Sequence, residues 1–345
     1  MTRFIQLHLL TSYPPANLNR DDTGQPKTAR LGGVQRLRVS SQSLKRAWRT
    51  SEIFQQGLGE SKIGDRTKLL GVHAHKKLVE AGIPEKQAAT WATEIAKVYG
   101  AVKKDKTLEI EQLVHISTEE RQTLDALVAT LIHEKRAPAQ AELDGLLHVQ
   151  KTVDIAMFGR MLASKPEFNG EAAVQVAHAI GVHASPIEDD YFTAVDDLNE
   201  GDSRAAHIGE SGFAAAVFYQ YICIDREQLL KNLGGDEALA ALALRALTEA
   251  ALKVGPGGKQ NSYASRAYAH FALAEKGSQQ PRSLTLAFLH PVTGDDYGVS
   301  AAEALEQVRA NMDKVYGQCS DSSKQFNVLK GEGSSQELLG FVAEA

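Results

Sequence analysis

Arg38-Val39-Ser40-Ser41-Gln42-Ser43-Leu44-Lys45-Arg46-Ala47-Trp48-Arg49 passes from a short strand through a serine cap into a helix. The start of such a helix presents unpaired backbone N–H groups, and here they stand beside serine hydroxyls and the Gln42 amide. Lys45 and Arg49, four residues apart, share a helix face one turn further on. Donors and cations concentrated at one corner suit a phosphate. The segment 23–51 that contains this corner carries Lys27, Arg30, Arg36, Arg38, Lys45, Arg46 and Arg49 and no Asp or Glu, in a chain of net charge −5. A positive field that opposes the global sign points to a polyanion grip rather than to solubility.

Outward from this strand-to-helix passage the pattern is mixed. Residues 3–13 read as a strand, 41–58 as a helix, 152–158 as a short strand and 213–225 as a long apolar strand. An Ala/Leu-rich helix over 236–254, closed by Gly255-Pro256, and a strand over 267–274 follow. Strand, helix, strand, strand, helix, strand is the ferredoxin-like order of RNA-recognition motifs, so the class expected is α+β. Residues 59–149 change to helix after helix, at 65–81, 84–98, 118–134 and 139–147, which reads as a helical insertion. The expected division is thus a discontinuous palm of 1–58 and 150–345 around that insertion. Residues 188–212 are acidic, glycine-containing and aperiodic, too long for a simple connection, and read as a functional loop. Asn19-Arg20-Asp21-Asp22 reads as a turn leaving the first strand.

With 345 residues, 43% of them hydrophobic, the chain can bury a substantial core. Its start is too short and polar for a signal peptide and no apolar run reaches membrane-spanning length, so a cytoplasmic protein with no membrane partner is expected. Two cysteines, Cys223 and Cys319, give neither a disulfide framework nor a zinc knuckle. His73 with His75, and His178 with His183, lack the spacing that puts two imidazoles on one helix face, so no metal is expected. Gly255-Pro256-Gly257-Gly258-Lys259-Gln260 fails as a nucleotide-binding loop because its first Gly is missing, Gln260 replaces Ser/Thr and a helix precedes it. A second backbone contact with RNA, through Lys259 and Gln260, suits this loop better.

Asn19-Arg20-Asp21-Asp22, Gly32-Gly33 and the run from Arg38 to Ala47 resemble the CasC-type backbone subunit of the type I-E CRISPR surveillance complex, Cascade. Val153-Asp154-Ile155-Ala156 with Gly159-Arg160-Met161, Tyr191-Phe192-Thr193-Ala194-Val195-Asp196-Asp197-Leu198, and Ala206-His207-Ile208-Gly209 match in the same order. The likeness covers about the first 60 residues and about 152–263. It implies an RNA-motif palm, calls the helical insertion the fingers and 188–212 the thumb, and implies a non-catalytic scaffold without a cofactor. CRISPR RNA would be held by Arg20, Lys27, Ser40, Gln42, Lys45, Arg46, Arg49, Arg160, Met161, Lys259 and Gln260. Phe192, Thr193, Val195, His207 and Ile208 of the thumb would distort the guide–target duplex, and Lys103, Lys104 and Lys106 of the fingers would meet target DNA. The partners implied are target DNA through the guide, copies of the chain in a helical filament, the guide-end cap, the large and small subunits, the guide-processing endoribonuclease and a recruited helicase-nuclease. Two other classes stay open. One is a metal-dependent endoribonuclease using a loop aspartate, as in type III backbones. The other is a stand-alone single-stranded RNA-binding protein, whose sheet would expose Phe218, Tyr219 or Tyr221.

Overall fold

A computed structural model describes residues 2–59, 63–104, 107–148, 152–162, 164–194 and 207–344. From the N-terminus, β1 (Phe4–Ala16) leads through a turn to β2 (Thr28–Leu31), β3 (Val34–Val39), α1 (Ser41–Arg49) and α2 (Glu52–Leu58). Then come β4 (Asp65–Thr67), α3 (Leu70–Glu80), α4 (Glu85–Tyr99), β5 (Val114–Ile116), α5 (Thr118–Glu134), α6 (Gln140–Asp144) and α7 (Val153–Phe158). The chain continues through β6 (Val174–Val176), β7 (Ala179–Gly181), β8 (Glu188–Ala194), β9 (His207–Asp225), α8 (Arg226–Asn232) and α9 (Glu237–Lys253). It closes with α10 (Gln260–Tyr263), β10 (Ala269–Gly277), α11 (Tyr297–Tyr316), β11 (Ser322–Asn327) and α12 (Ser335–Ala343).

Two compact units result: residues 1–54, 175–226 and 244–345, and residues 55–174 with 227–243. The second is larger than the 59–149 expected from the change of pattern, because it also takes in 150–174 and the start of α9.

The first unit is built on a nine-stranded sheet of order β11-β10-β1-β9-β7-β3-β2, with β6 and β8 also paired to β9. Its middle, β10-β1-β9-β7, has the antiparallel 4-1-3-2 arrangement of a ferredoxin-like palm. The second strand of that pattern is β7, not 152–158 as the sequence suggests. Those residues form α7 instead, because the buried Asp154 carboxylate accepts hydrogen bonds from Ile155 N–H (3.0 Å), Thr152 Oγ1 (2.7 Å), Gly64 N–H (2.9 Å) and His115 Nε2 (2.7 Å). Burial opposes the charge, but the bond from His115 and its neighbours hold the Asp154 carboxyl below its ordinary value. The β-branched Val153 and Ile155 that argue for a strand are overridden by a local polar lock.

The single helix expected over 41–58 is two. Ser51 Oγ donates to Trp48 O (2.7 Å) and accepts from Phe54 N–H (3.2 Å), closing α1 and opening α2 at one residue. Leu44 and Trp48 are the buried stripe of α1, and Trp48 Nε1 donates to Val254 O (3.2 Å) just after α9.

Both faces of the sheet are covered. Ile5, Leu7 and Leu9 of β1 are fully buried on one face, while Leu10, Tyr219, Phe271 and Leu273 pack on the other with Ala301, Ala302 and Leu305 of α11 and Phe288. Each such aliphatic or aromatic side chain contributes about 1.5–3 kcal/mol on burial. Phe218 and Tyr219 therefore lie inside, and Tyr221, half-buried, gives its hydroxyl to Gln6 Oε1 (2.8 Å). The exposed aromatic pair that a stand-alone RNA-motif protein would use is absent from β9.

A polar chain fastens α11 to this face. Tyr219 Oη accepts from Leu284 N–H (3.0 Å) and donates to His8 Nδ1 (2.9 Å), and His8 Nε2 donates to Glu275 Oε2 (3.2 Å). Glu275 also accepts from Arg282 Nη1 (2.5 Å), Arg309 Nε (2.8 Å) and Ser320 Oγ (3.3 Å). Burial alone would raise the Glu275 carboxyl, but bonds from His8 and Arg282 outweigh it and hold the pKa well below the ordinary 4.5. A depressed folded-state pKa stabilises the fold fully above that ordinary value and progressively less as pH falls below it. Glu275→Gln should cost about 3–5 kcal/mol at neutral pH, read by urea unfolding of the sheet unit, and should flatten the loss of stability between pH 5 and pH 3.

Candidate nucleic-acid interface

Ser40 is the cap of α1. Its Oγ accepts from Ser43 N–H (3.3 Å), while its own N–H is taken by Asn19 Oδ1 (2.9 Å). The hydroxyl is thus committed to the helix. What the corner presents is Gln42 and Arg46, both exposed, with Lys45 and Arg49 half-buried. Lys27 N–H bonds Asn19 O (2.8 Å), so the start of α1, the approach to β2 and the turn after β1 form one hydrogen-bonded body. Inside the turn, Asp21 Oδ1 accepts from Thr23 Oγ1 (2.8 Å), Thr23 N–H (2.9 Å) and Gln25 N–H (3.0 Å). These bonds, that of the Thr23 hydroxyl first, hold the Asp21 carboxyl below its usual range. Arg20 is exposed on this turn. Asn19, Arg20, Asp22 and Ser43 line an open, polar depression of about 490 Å³ with Gly258 at its side.

His178 gathers the cations of the segment. Its Nδ1 accepts from Arg38 Nη1 (2.7 Å), and its pKa is lowered first by burial and then by the charges of Arg38, Lys27 and Lys45. Three cations from β3, the approach to β2 and α1 therefore share one field. Sequence reading weighed His178 only as a metal ligand and missed this place. Arg36, counted in the same basic segment, has a different role: it is fully buried, with Nη1 on Gly181 O (3.0 Å) and Nη2 on Phe288 O (3.2 Å). It ties β3 to β7 and the turn before α11.

The loop of Lys259 and Gln260 lies in the same unit. Lys259 holds a left-handed φ of +48° and Ala264 one of +47°, bracketing the four-residue α10. Non-glycine residues adopt that region at a cost, most often where a site requires it. Lys259 Nζ donates to Ser211 Oγ (2.7 Å). Gln260 turns inward, its Nε2 donating to Pro256 O (3.0 Å) and Ser265 Oγ (3.1 Å), so its amide donor builds the loop instead of facing an RNA backbone.

Residues 188–194 and 207–212 differ most from the reading of an aperiodic loop. Glu188–Ala194 pair with 207–213 of β9 as an antiparallel ribbon, from Glu188↔Phe213 to Ala194↔His207. Phe192 faces Gly209 directly, and a Cβ on Gly209 would come within 2.5 Å of its ring. A side chain there would displace the ring. Tyr191, Phe192 and Ile208 remain 61%, 43% and 57% exposed, and Thr193 is exposed as well. Val195 lies outside the described residues, and His207 is placed by its backbone in β9.

In the second unit Arg160 is not at a surface. Its side chain is 1% exposed, with Nη1 on both oxygens of Glu120 (2.8 and 2.7 Å) and other donors on Phe168 O and His148 O. The partner that claims it stands 40 residues upstream, beyond the reach of a local motif reading. Met161, one residue on, is 74% exposed and lines a depression of about 250 Å³ with Tyr99 and Leu113. Lys103 pairs with Glu109 (2.6 Å), Lys104 is exposed, and Lys106 lies outside the described residues. Among the described residues no group of three or more His, Cys, Asp or Glu could hold a metal ion, and no helix is long and apolar enough to cross a membrane.

Comparison with known proteins places these features in context. The family described as "CT1975-like protein" matches residues 5–340. A chain of a solved "CRISPR RNA-guided surveillance complex, pre-nicking" is similar at 27% identity and a TM-score of 0.86, over 99% of each chain. A chain of another "CRISPR RNA-guided surveillance complex" shares the fold at 24% identity and a TM-score of 0.74, over 99% of this chain and 100% of that one. No curated protein sequence matches.

Arg160→Met should destabilise the helical unit by about 3–5 kcal/mol, because it leaves the Glu120 carboxylate buried and unpaired. Chemical denaturation followed by Trp91 fluorescence reads this. If the variant loses RNA affinity with unchanged stability, Arg160 has a role other than the structural one assigned here.

Proposed function

Because the chain belongs to the CT1975-like family, we propose that it is an RNA-binding backbone subunit of a CRISPR RNA-guided surveillance complex, of the type I-E Cascade kind. The observation that carries this reading is the hydrogen-bonded corner in which Asn19 joins the Ser40 cap of α1 to the turn of Arg20 and to Lys27, with Arg38 bonded to His178 and Gln42 and Arg46 exposed at the helix start. This is an array of point charges and polar donors, suited to phosphate and sugar. It offers no base-edge selectivity. A subunit repeated along a guide has to bind every sequence alike, so its contacts go to the backbone and specificity is left to Watson–Crick pairing with target DNA.

In this reading the protein is a scaffold without catalytic groups, polymerising along the CRISPR RNA beside the capping, large, small and guide-processing subunits. Asp21, a loop aspartate beside the cationic corner, is engaged in holding its own turn. That engagement favours the scaffold over a metal-dependent ribonuclease. The β8–β9 ribbon would be the thumb, displacing one base pair of the guide–target duplex per subunit.

Replacing Lys45 and Arg49 together by Glu should weaken RNA binding equally for unrelated sequences and reduce the slope of log K against log salt by roughly 1–1.5, since each phosphate contact on a single strand contributes about 0.7. Filter binding from 50 to 300 mM salt reads both effects; an unchanged slope would remove the corner from the interface. A mismatch scan along the target tests the thumb. Silent positions should recur at a fixed period, against a cost of roughly 1–3 kcal/mol at a paired position, whereas a uniform cost would assign the ribbon another role.

A further inference from the structure

Asn17 follows β1 directly and has no exposed surface. Its Nδ2 makes two hydrogen bonds, to Gly24 O (2.9 Å) in the turn after β1 and to Gly212 O (2.8 Å) on β9, where Gly212 is paired with Asp189 of β8. Both partners are carbonyls, so only the NH₂ side of the amide fits between them. One side chain thus joins the turn that carries Arg20 to the foot of the β8–β9 ribbon.

The turn is in turn joined to α1 through Asn19 Oδ1 and Ser40 N–H. Nearby, Gly258 lies so close that a Cβ there would collide with the Leu18 and Asn17 carbonyls, which brings the Lys259 loop against the same residue. Lys259 reaches the ribbon separately, through Ser211 Oγ. Two links therefore run from the cationic corner to the ribbon: a rigid one through Asn17, buried and bidentate, and a flexible one through the Lys259 side chain.

We propose that Asn17 is the positioning residue that couples the backbone-binding corner to the ribbon, so that an RNA phosphate held at the turn and α1 also fixes the ribbon against the sheet. The link through Ser211 is not required, because a phosphate competes with Ser211 for Lys259 and would loosen that contact on binding. The inference rests on the reading of the corner as an RNA site.

Amide hydrogen exchange with and without a single-stranded RNA of about 16 nucleotides, the upper end of single-strand site sizes, tests it on the full chain. In the natural protein, RNA should slow exchange at 188–194 and 207–213 several-fold as well as at the turn 19–25. Asn17→Asp keeps the shape and loses both donors. It should bind RNA within about threefold of the natural affinity while the protection at 188–194 and 207–213 disappears. Ser211→Ala leaves Asn17 in place and should keep that protection, and Asn17→Ala, which removes both donors without burying a charge, should lose it if Asn17→Asp fails to fold. Protection lost in Ser211→Ala, or retained in a folded Asn17→Asp, would overturn the proposal. So would a natural protein that binds RNA without any change at the ribbon. A natural protein that does not bind RNA at all would instead overturn the reading of the corner.

Discussion

Glu275 has no exposed surface, and the groups that hold its charge come from four separate segments of the sheet and of the layer that covers it: His8 from β1, Arg282 from the segment after β10, Arg309 from α11 and Ser320 from the approach to β11. A carboxylate so placed is tolerable only when all its oxygens are bonded. The docking of α11 is therefore close to all-or-none, since undocking it removes Arg309 and exposes the apolar patch around Phe288 and Leu305 together. Through Tyr219 and His8 the same chain of bonds reaches the centre of the sheet. What it fixes is the covering of the face on which an RNA-recognition motif ordinarily stacks bases.

Closing that face decides where a polyanion can bind. With both sheet faces packed, the remaining polar groups cluster at the ends of the strands, where β1 turns toward β2, where β3 meets α1, and where β9 runs out into its ribbon with β8. Chain ends and caps supply N–H groups and short polar side chains; they do not supply stacking surfaces. On the proposed reading, such a geometry favours backbone recognition over base recognition. Arg36 contributes to the same outcome from inside, because its bonds to Gly181 and Phe288 set the position of β3, from which Arg38 reaches His178.

Elements whose causes are local were legible. α5 begins and ends where its pattern says, with a reciprocal capping box of Ser117 and Glu120 at its start, and the start of α1 follows from the Ser40 cap. β1, β9 and α9 announce themselves by long apolar or alanine–leucine runs. Of the candidate site residues, Gln42, Arg46 and Arg20 are exposed, as a contact would need, whereas Arg160 and the amide of Gln260 are claimed by partners that no local pattern reveals. Asn17 and His178 were missed because their meaning lies in carbonyls and cations far along the chain. α11 was missed for a related reason. Its buried positions are small, Ala301 and Ala302 beside Leu305, so its stripe is weak until the sheet it covers is known. The ribbon hid because acidic and glycine residues carry little strand propensity, and its pairing is imposed by continuation of β9.

The ribbon's register carries the last step. Directly opposed residues of an antiparallel pair lie on one side, so Phe192 with Gly209 occupies one face, and Tyr191 with Glu210 and Thr193 with Ile208 occupy the other. Large apolar groups are thus exposed on both faces of a two-stranded element, Phe192 on one and Tyr191 and Ile208 on the other. A ribbon of two strands is marginal by itself and gains nothing in water from such an arrangement. An element with apolar groups on both sides is suited to lying between two surfaces that each lose water against it, which is the situation of a wedge between stacked base pairs. An element packed against one surface would need only one such face, and the register of Phe192 on Gly209 gives this ribbon two.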